Sequence, residues 1–433
     1  MSDTASSAPR VPKRVAAVIL NSLKGGVVPR IGLPYITVGR EVEIRALLTD
    51  LDLIADGGAS FRFLVGRYGA GKSFLLQTIR THAMGENFVV ADADLSPERR
   101  LQGGQGQGLA TYRELIRNLS TKTRPEGGAL GLILDRWVAN VNAEGETDGE
   151  ARARASVAGL EELVHGFDFA RMLVRYYRAS IEGDEETKSS VSRWLRGEFR
   201  TKTEAKSELG TSVIITDDDW YDYIKLIAAF LRGAGYRGML VLIDELVNLY
   251  KIPNAITRQY NYEKILTMYN DTLQGKAHYL GIIMGGTPTS IEDRRRGVFS
   301  YEALRSRLTQ GRFAREDMRD MLAPIIRLHP LTYEELLVLI EKLGQIHAGY
   351  FGYTSTITDE DLAAFLQIEF GRVGADSHLT PREVIRDFIE LLDIAFQNPE
   401  MDISNLLRDE GAVTDAGKPA DAGGDAPFAE FTI

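Results

Sequence analysis

The chain has 433 residues, of which 44% are hydrophobic and 26% charged, a composition typical of one large or several ordinary globular domains. It contains no cysteine, which excludes disulfides and zinc–thiolate sites, and its net charge of −10 argues against a generic nucleic-acid binder. No stretch approaches the roughly twenty apolar residues that cross a bilayer, and no signal peptide is evident. We therefore expect a soluble cytoplasmic protein without membrane contact.

The composition at the two ends of the chain predicts flexible tails. Residues 1–12 are rich in Ser and Ala and are predicted to be disordered. Residues 410–433 form an acidic segment of Gly, Ala and Asp that ends in the apolar letters FAEFTI. We expect a flexible tail there, whose apolar end is either a frayed terminus, the favoured interpretation, or a peptide that docks on a partner.

The centre of the chain alternates between helical and strand patterns. A helix is predicted from Glu41 to about Ala55, followed by a short buried strand in FRFLV and a helix in SFLLQTIRTHAM. NFVVADADL, GMLVLID and YLGIIMGG are further apolar runs of strand length. Strands that alternate with helices predict an α/β fold with a parallel sheet flanked by helices.

Two regions are predicted to be almost entirely helical. Residues from about 121 to 237 form amphipathic runs and predict a long helical insertion within an α/β domain that spans residues 13–330. Residues 331–409 predict a C-terminal α-helical lid. The insertion either carries contacts to a partner or to DNA, or it serves helical packing alone, and these alternatives stay open.

The segment FLVGRYGAGKSFLL contains the pattern G-x-x-x-x-G-K-[ST] between a predicted strand and a predicted helix, which is the setting that a P-loop requires. In a P-loop, backbone N–H groups and the helix N-terminus bind nucleotide phosphates, the lysine reaches the outer phosphates and the hydroxyl ligates Mg²⁺. A chance match is expected only about once in fifty to a hundred chains of this length. The predicted nucleotide-binding residues are Gly66, Arg67, Tyr68, Gly69, Ala70, Gly71, Lys72, Ser73 and Phe74.

The segment LVLIDE predicts the second half of an ATPase site. Asp244 ends an apolar strand, where its carboxylate can hold Mg²⁺, and Glu245 beside it can polarise the attacking water. The alternative is a surface Asp-Glu pair, which is less favoured because four apolar residues precede it. ATP and Mg²⁺ are therefore the predicted ligand and ion, and an ATPase is the predicted enzyme.

Further candidates follow the last apolar strand and lie in the lid. Thr287 ends LGIIMGGT and is a candidate to orient water, with a plain turn threonine and a role for Thr289 as the alternatives. The charge that develops on the γ-phosphate also needs a cation. The candidates are Arg305 and Arg307 in EALRSRL and Arg382 in HLTPREVIRDF, although each could instead form a surface ion pair.

Two segments, EDRRRG and LRSRLTQGRFARE, concentrate arginine in an otherwise acidic chain. They predict either a local basic channel for DNA or a solvated surface, and the sequence favours neither.

Together these motifs resemble the AAA+ ATPases, especially their origin-recognition-like and STAND-like branch. In VGRE, Gly39 and Arg40 resemble the element that packs on the adenine in those proteins. The resemblance implies that LVLIDE is the Walker B segment and that Thr287 is sensor 1. It further implies that Arg307 is an arginine finger acting across a subunit interface, that Arg382 reaches the γ-phosphate from the lid, and that the protein self-associates.

A closer resemblance is to the BrxC/BrxD family of ATP-binding proteins, over about residues 15–398. Such proteins occur in bacterial anti-phage systems including BREX, and a similar ATPase accompanies a helicase and a TerB-like protein in the Shango system. The resemblance implies phage defence, with a helicase and other defence-system proteins as partners. The segments that carry it are ILNSLKGGVVPRIGLPYITVGRE, FLVGRYGAGKSFLL, VVADADLSPERRL, VLIDELVNLYKI and LTPREVIRDFI.

The expected function is therefore ATP hydrolysis coupled to DNA surveillance or remodelling. The alternative is a STAND-like switch or scaffold that binds ATP, hydrolyses it slowly and recruits an effector. DNA-stimulated turnover would distinguish the first from the second.

Overall fold

The computed structural model describes residues 11–143, 148–309, 311, 319–372, 380–401, 403–405 and 407. The predicted acidic tail at 410–433 and residues 1–10 lie outside these ranges, as does most of the arginine-containing segment QGRFARE. The elements as far as the second strand are α1 (Lys13–Lys24), α2 (Leu33–Ile36), α3 (Glu41–Ala55), β1 (Ala59–Val65), α4 (Lys72–Gly85) and β2 (Val89–Asp94).

Between the second and third strands, the described residues are mainly helical. Their helices are α5 (Gln107–Arg117), α6 (Leu130–Ala143), α7 (Gly149–Val157), α8 (Gly166–Glu182), α9 (Glu185–Leu195), α10 (Lys202–Leu209) and α11 (Trp220–Gly233). Trp137, Trp194 and Trp220 of these helices are each at most 1% exposed, so the layer has a core of its own that continues into the core on one face of the sheet.

The remaining elements of the described residues complete the sheet and add four long helices. They are β3 (Met239–Asp244), α12 (Val247–Tyr250), α13 (Ala255–Leu273), β4 (Leu280–Gly286), α14 (Pro288–Glu292), α15 (Glu302–Leu308), β5 (Ile325–Arg327), α16 (Tyr333–Phe351), α17 (Asp359–Arg372) and α18 (Pro381–Gln397). The four long helices are α13, α16, α17 and α18. β5 has three residues and was not predicted, because so short a run carries no periodic pattern.

The five strands form one parallel sheet in the order β2-β3-β4-β1-β5. Its central strands are continuous apolar runs, as strands covered on both faces should be, and all seven residues of β4 are buried. Successive residues alternate between two cores: Phe63 packs in the core that includes α13, whereas Leu64 packs in the core that includes α3 and α4. The predicted α/β fold with a parallel sheet flanked by helices is confirmed.

The sheet topology determines where a site can form. All strands are parallel, so the carboxyl ends of β1, β2, β3 and β4 meet at one edge. Ligands of open parallel sheets bind at this edge, outside the strand ends. β4 lies between β1 and β3, so the segments that follow these three strands are neighbours although they are far apart in the sequence.

The chain divides into two compact units. One runs from Arg40 to His329 and contains the sheet, and we call it the sheet unit. The other combines the residues up to Gly39 with those from Pro330 onward, and we call it the helical unit. In the helical unit α1 packs against α16 and α18, and the N-termini of α16 and α18 each carry a capping box.

Within the described residues, no helix combines the length and the apolar character that a membrane crossing needs.

Candidate functional site

The glycine-rich turn between β1 and α4 adopts a backbone that only glycine takes up readily. Gly69 and Gly71 have φ values of +75° and +92°, and Gly71 is the N-cap residue of α4. A Cβ at Gly71 would meet no atom within 4 Å, so the backbone conformation alone requires glycine there. At Gly66 the reason is space, since a Cβ would come within 3.2 Å of the Leu328 Cβ. The turn therefore leads directly into a helix N-terminus, which favours anions.

The side chain of Lys72 lies within this turn. Its Nζ donates to the carbonyl oxygens of Gly66 and Arg67, at 2.9 Å each. It also lies 5.5 Å from the ring centre of Tyr68, which is 57% exposed. A positive charge is thus held inside the turn by neutral carbonyl groups, which phosphate oxygens would outcompete because ionised acceptors form the stronger hydrogen bonds.

Asp244 at the end of β3 meets the first turn of α4. The Ser73 hydroxyl donates to Asp244 Oδ2 at 3.2 Å, and the Glu245 N–H donates to Oδ1 at 2.8 Å. A hydroxyl and a carboxylate at hydrogen-bond distance are the hard oxygen ligands that Mg²⁺ takes beside substrate phosphates, so this pair fits Mg²⁺ bound with a nucleotide. Among the described residues there is no cluster of three or more His, Asp or Glu that could hold a metal ion without a nucleotide.

Gly285 of β4 makes room for the carboxylate of Asp244. A Cβ built at Gly285 would lie 2.2 Å from Asp244 Oδ1, a distance that real Cβ atoms essentially never show. The first glycine of the GGT turn therefore allows the acidic side chain to lie across the neighbouring strand.

Glu245 has a backbone conformation that is uncommon for its residue type. Its φ is +62°, in the left-handed region, and the next residue is anchored by a 3.1 Å hydrogen bond from Leu246 N–H to the Gly285 carbonyl. Such outliers cost roughly 1–3 kcal/mol and cluster at functional sites. The strained residue here is the carboxylate that the sequence predicts to polarise water.

Asp94, at the end of β2, is an acidic residue at this edge that the sequence analysis did not single out. It is in register with Asp244. Loss of hydration and the carboxylates of Asp244, Asp92 and Glu245 raise the pKa of Asp94, although part of the residue stays exposed and Arg99 opposes the shift. The sequence signal for Asp94 was its position at the end of VVADAD, a predicted strand. Parallel strands end at the same edge of a sheet, so an acidic residue at such an end is expected near Asp244.

Thr287 follows β4, which lies between β1, the strand before the glycine-rich turn, and β3, the strand that ends in Asp244. It is 8% exposed and is the N-cap residue of α14, where its Oγ1 accepts from Ser290 N–H and its own N–H donates to Ser290 Oγ. Its rival Thr289 is exposed on α14. The hydroxyl of Thr287 therefore caps α14, and its role in orienting water stays a prediction.

The two arginine-finger candidates lie on α15 and contact their own helix. Arg307 is exposed and donates to the Ala303 carbonyl at 2.7 Å, and Arg305 is 3.6 Å from a Glu302 carboxylate oxygen. These contacts are those of surface side chains, and the role of either arginine as a finger stays a prediction.

Gly39, Arg40 and Arg382 fall in different compact units. Arg40 belongs to the sheet unit, is 5% exposed and donates to the Ala70 carbonyl of the glycine-rich turn. Gly39 belongs to the helical unit, has a φ of +66° and faces the Glu335 carboxyl group, which a Cβ would approach to 2.4 Å. Arg382 is exposed in the first turn of α18, also in the helical unit. The roles of Gly39 and Arg382 toward a nucleotide stay predictions.

The Gly- and Gln-rich loop before α5 does not form a second anion site. The N-terminus of α5 is occupied by a carboxylate of the chain itself, because Gly106 N–H and Leu109 N–H each donate to Asp217 at 2.7 Å. Unlike this loop, the glycine-rich turn at Gly66–Gly71 stays the candidate for a phosphate.

A parallel sheet that carries a glycine-rich turn, a lysine and two carboxylates at its carboxyl edge is the arrangement expected of a nucleotide-binding α/β protein. A family model described as BREX system ATP-binding protein BrxC/D matches residues 11–411, and the chain belongs to this family. The resemblance predicted from the motifs is thereby confirmed. Membership supports ATP as the ligand and implies a protein of an anti-phage defence system. A comparison with curated proteins finds no match.

Proposed function

We propose that this protein is an AAA+-like ATPase that couples hydrolysis of Mg-ATP to DNA surveillance or remodelling in anti-phage defence, together with a helicase partner. The observation that carries the ATPase proposal is the 3.2 Å contact between Ser73 Oγ and Asp244. It joins the loop motif to the acid motif, which are 171 residues apart in the sequence. Family membership supports both ATP and the defence context, and the reaction would take place in the cytoplasm.

The order of the sheet supports the AAA+-like assignment. β4 lies between β1 and β3, so a third polar residue, Thr287, follows a strand that neighbours both motif strands. This is the position at which the resemblance expects sensor 1. The Shango system, in which a similar ATPase accompanies a helicase, is a second defence context that the same site would suit.

The proposed reaction uses side chains for positioning and charge stabilisation rather than for covalent chemistry. Lys72 would release its two loop carbonyls and bind phosphate oxygens. Ser73 and Asp244 would hold Mg²⁺, which polarises the phosphate oxygens when bound. Glu245 would orient the attacking water, and Arg307 of a neighbouring subunit would complete the site.

A STAND-like switch is the second candidate, and one observation favours it. The Thr287 oxygen already accepts a hydrogen bond from Ser290 N–H, so the residue expected to orient water is engaged in capping α14. A site whose water is poorly oriented would bind ATP and hydrolyse it slowly. Such a protein would recruit an effector in its ATP-bound form without moving DNA itself.

The deciding experiment measures ATP turnover and particle mass together, with and without duplex and single-stranded DNA. It compares the wild type with Lys72→Ala, Glu245→Gln and the matched control Glu263→Gln, which changes an exposed glutamate on α13. For an ATPase motor we expect DNA-stimulated turnover that Glu245→Gln abolishes and Glu263→Gln retains, in a particle of several subunits.

The other outcomes separate the two candidates. Slow turnover without a DNA response, combined with an ATP-locked assembly in Glu245→Gln, would establish the switch and overturn the motor. ATP binding that survives Lys72→Ala unchanged would contradict both, because the glycine-rich turn would then not be the nucleotide site.

A further inference from the structure

Arg40 is a buried arginine that binds the backbone of the glycine-rich turn. It is 5% exposed, and its Nη2 donates to the Ala70 carbonyl at 3.1 Å and to the His329 carbonyl at 3.0 Å. Burying a guanidinium is costly unless it is hydrogen-bonded. Breaking its hydrogen bonds to these carbonyls would therefore cost free energy, so Arg40 stabilises the positions of both carbonyls.

The Ala70 carbonyl belongs to the peptide group that precedes Gly71. The described residues contain no cis peptide bond, so the carbonyl of Ala70 and the N–H of Gly71 point to opposite sides of their peptide plane. When Arg40 holds the carbonyl, it therefore also sets the direction of the N–H. A phosphate loop works through N–H groups that face the anion, and a carbonyl turned toward the phosphate would repel it.

This peptide group lies in a stretch bounded by two glycines, whose backbones have a wider choice of conformations than those of other residues. Gly69 and Gly71 both have positive φ, and a Cβ at Gly71 would meet no atom within 4 Å, so side-chain packing does not hold the turn at that point. The second carbonyl that Arg40 binds lies beside the sheet. His329 follows Leu328, whose N–H donates to the Val65 carbonyl at 2.7 Å, at the edge of the sheet.

We propose that Arg40 is a positioning residue, which fixes the Ala70–Gly71 peptide group against the sheet edge so that the turn presents its N–H groups to the triphosphate. This inference rests on the proposed nucleotide site. It differs from the expectation that Gly39 and Arg40 contact the adenine, because one of the two carbonyls that Arg40 binds, that of Ala70, belongs to the glycine-rich turn. Its consequence is that Arg40 serves any triphosphate, with or without a base.

The test compares two probes, Mg-ATP and Mg-tripolyphosphate, which share the triphosphate but not the base. Dissociation constants are measured for the full-length wild type, Arg40→Met and Arg40→Lys, and tryptophan fluorescence checks that each variant is folded. We expect Arg40→Met to weaken both probes by the same factor, roughly tenfold or more, since a hydrogen bond from a charged group is lost. Arg40→Lys, which keeps a charged donor, should weaken the binding of both probes by a smaller common factor. If Arg40→Met does not fold, Arg40→Lys is the variant that tests the inference.

The matched control is Arg258→Met. Arg258 is also buried, at 8% exposed, and donates to a backbone carbonyl, that of Ile252, at 2.7 Å. It should lower stability without changing either dissociation constant.

Three results would overturn the inference. Weakened binding of Mg-ATP with unchanged binding of tripolyphosphate would assign Arg40 to the base, and unchanged binding of both probes would leave Arg40 without this role. If the wild type bound neither probe, the proposed nucleotide site would fail and the inference with it. If the wild type binds the probes and Lys72→Ala abolishes this binding, the proposed nucleotide site stands. Unchanged binding by Arg40→Met would then contradict this inference alone.

Discussion

A side chain at position 285 would collide with the carboxylate of Asp244, which the proposed nucleotide site uses. We predict that Gly285→Ala lowers ATP turnover roughly tenfold to a hundredfold, because the new Cβ would lie 2.2 Å from Asp244 Oδ1 and must displace it. The glycine-rich turn proposed to bind the phosphates keeps its own contacts, so the dissociation constant of ATP should change by a smaller factor than turnover does. Turnover assays and titrations of ATP measure the two effects separately.

Gly281→Ala in the same strand is the control for that change. Its Cβ would lie 2.5 Å from the Cδ1 of Ile54, the far end of a flexible side chain that can move aside. Both substitutions add one methyl group to β4, but only one of them reaches the acidic residue. Equal loss of turnover in the two variants would show that strand packing, and not Asp244, is responsible.

At the scale of elements, a buried polar network joins three helices of the helical unit. His347 of α16 is fully buried, with its Nε2 3.1 Å from Asp393 of α18 and its Nδ1 2.9 Å from the Tyr353 hydroxyl. Lys24 of α1 donates to the other oxygen of Asp393. Burial lowers the pKa of His347 below its ordinary value, although Asp393 acts in the opposite direction.

This lowered pKa predicts that the helical unit loses stability in mild acid. The unfolded chain takes up a proton around the ordinary histidine pKa of about 6.5, whereas burial gives the folded His347 a lower pKa. The stabilisation is therefore present above the ordinary pKa and is lost as the pH falls through the folded pKa. We expect His347→Gln, which does not titrate, to flatten the dependence of unfolding free energy on pH between about 7.5 and 5.5.

Urea unfolding followed by circular dichroism across this pH range measures the effect. The control is His278→Gln, which removes an exposed histidine of the sheet unit. Parallel pH profiles for the wild type and His347→Gln would contradict the prediction, since the buried histidine would then contribute no proton linkage.

At the scale of the whole molecule, the distribution of tryptophan allows the sheet unit to be observed by itself. The sequence has three tryptophans, and all of them are buried in the sheet unit, in helices between β2 and β3. Their fluorescence should therefore report the unfolding of the unit that carries the proposed nucleotide site.

We predict that Mg-ATP raises the melting temperature measured by tryptophan fluorescence by several degrees. At a free concentration of one hundred times the dissociation constant, binding to the folded state adds about 2.7 kcal/mol to the free energy of unfolding. Removing Mg²⁺ with EDTA should reduce this gain, and Lys72→Ala should abolish it. A gain that Lys72→Ala leaves unchanged would mean that ATP binds elsewhere.

Four of the five sheet strands and the setting of the glycine-rich turn were predictable from the sequence. LVLID and LGIIMGG are continuous apolar runs of strand length, which predict strands covered on both faces, and the turn from Gly66 to Gly71 contains the glycines that positive φ requires. Both signals are local, because the residues that carry them are neighbours in the chain.

The contacts between those elements follow from packing and not from the local sequence. Three contacts join segments that are far apart in the sequence. They are the hydrogen bond from Ser73 to Asp244, the register of Asp94 with Asp244 and the hydrogen bond from Arg40 to the Ala70 carbonyl. β5 belongs here too, because three residues become a strand only by pairing with β1. The physical reason is that strand order and side-chain contacts across the sheet arise from packing, for which local periodicity contains no signal.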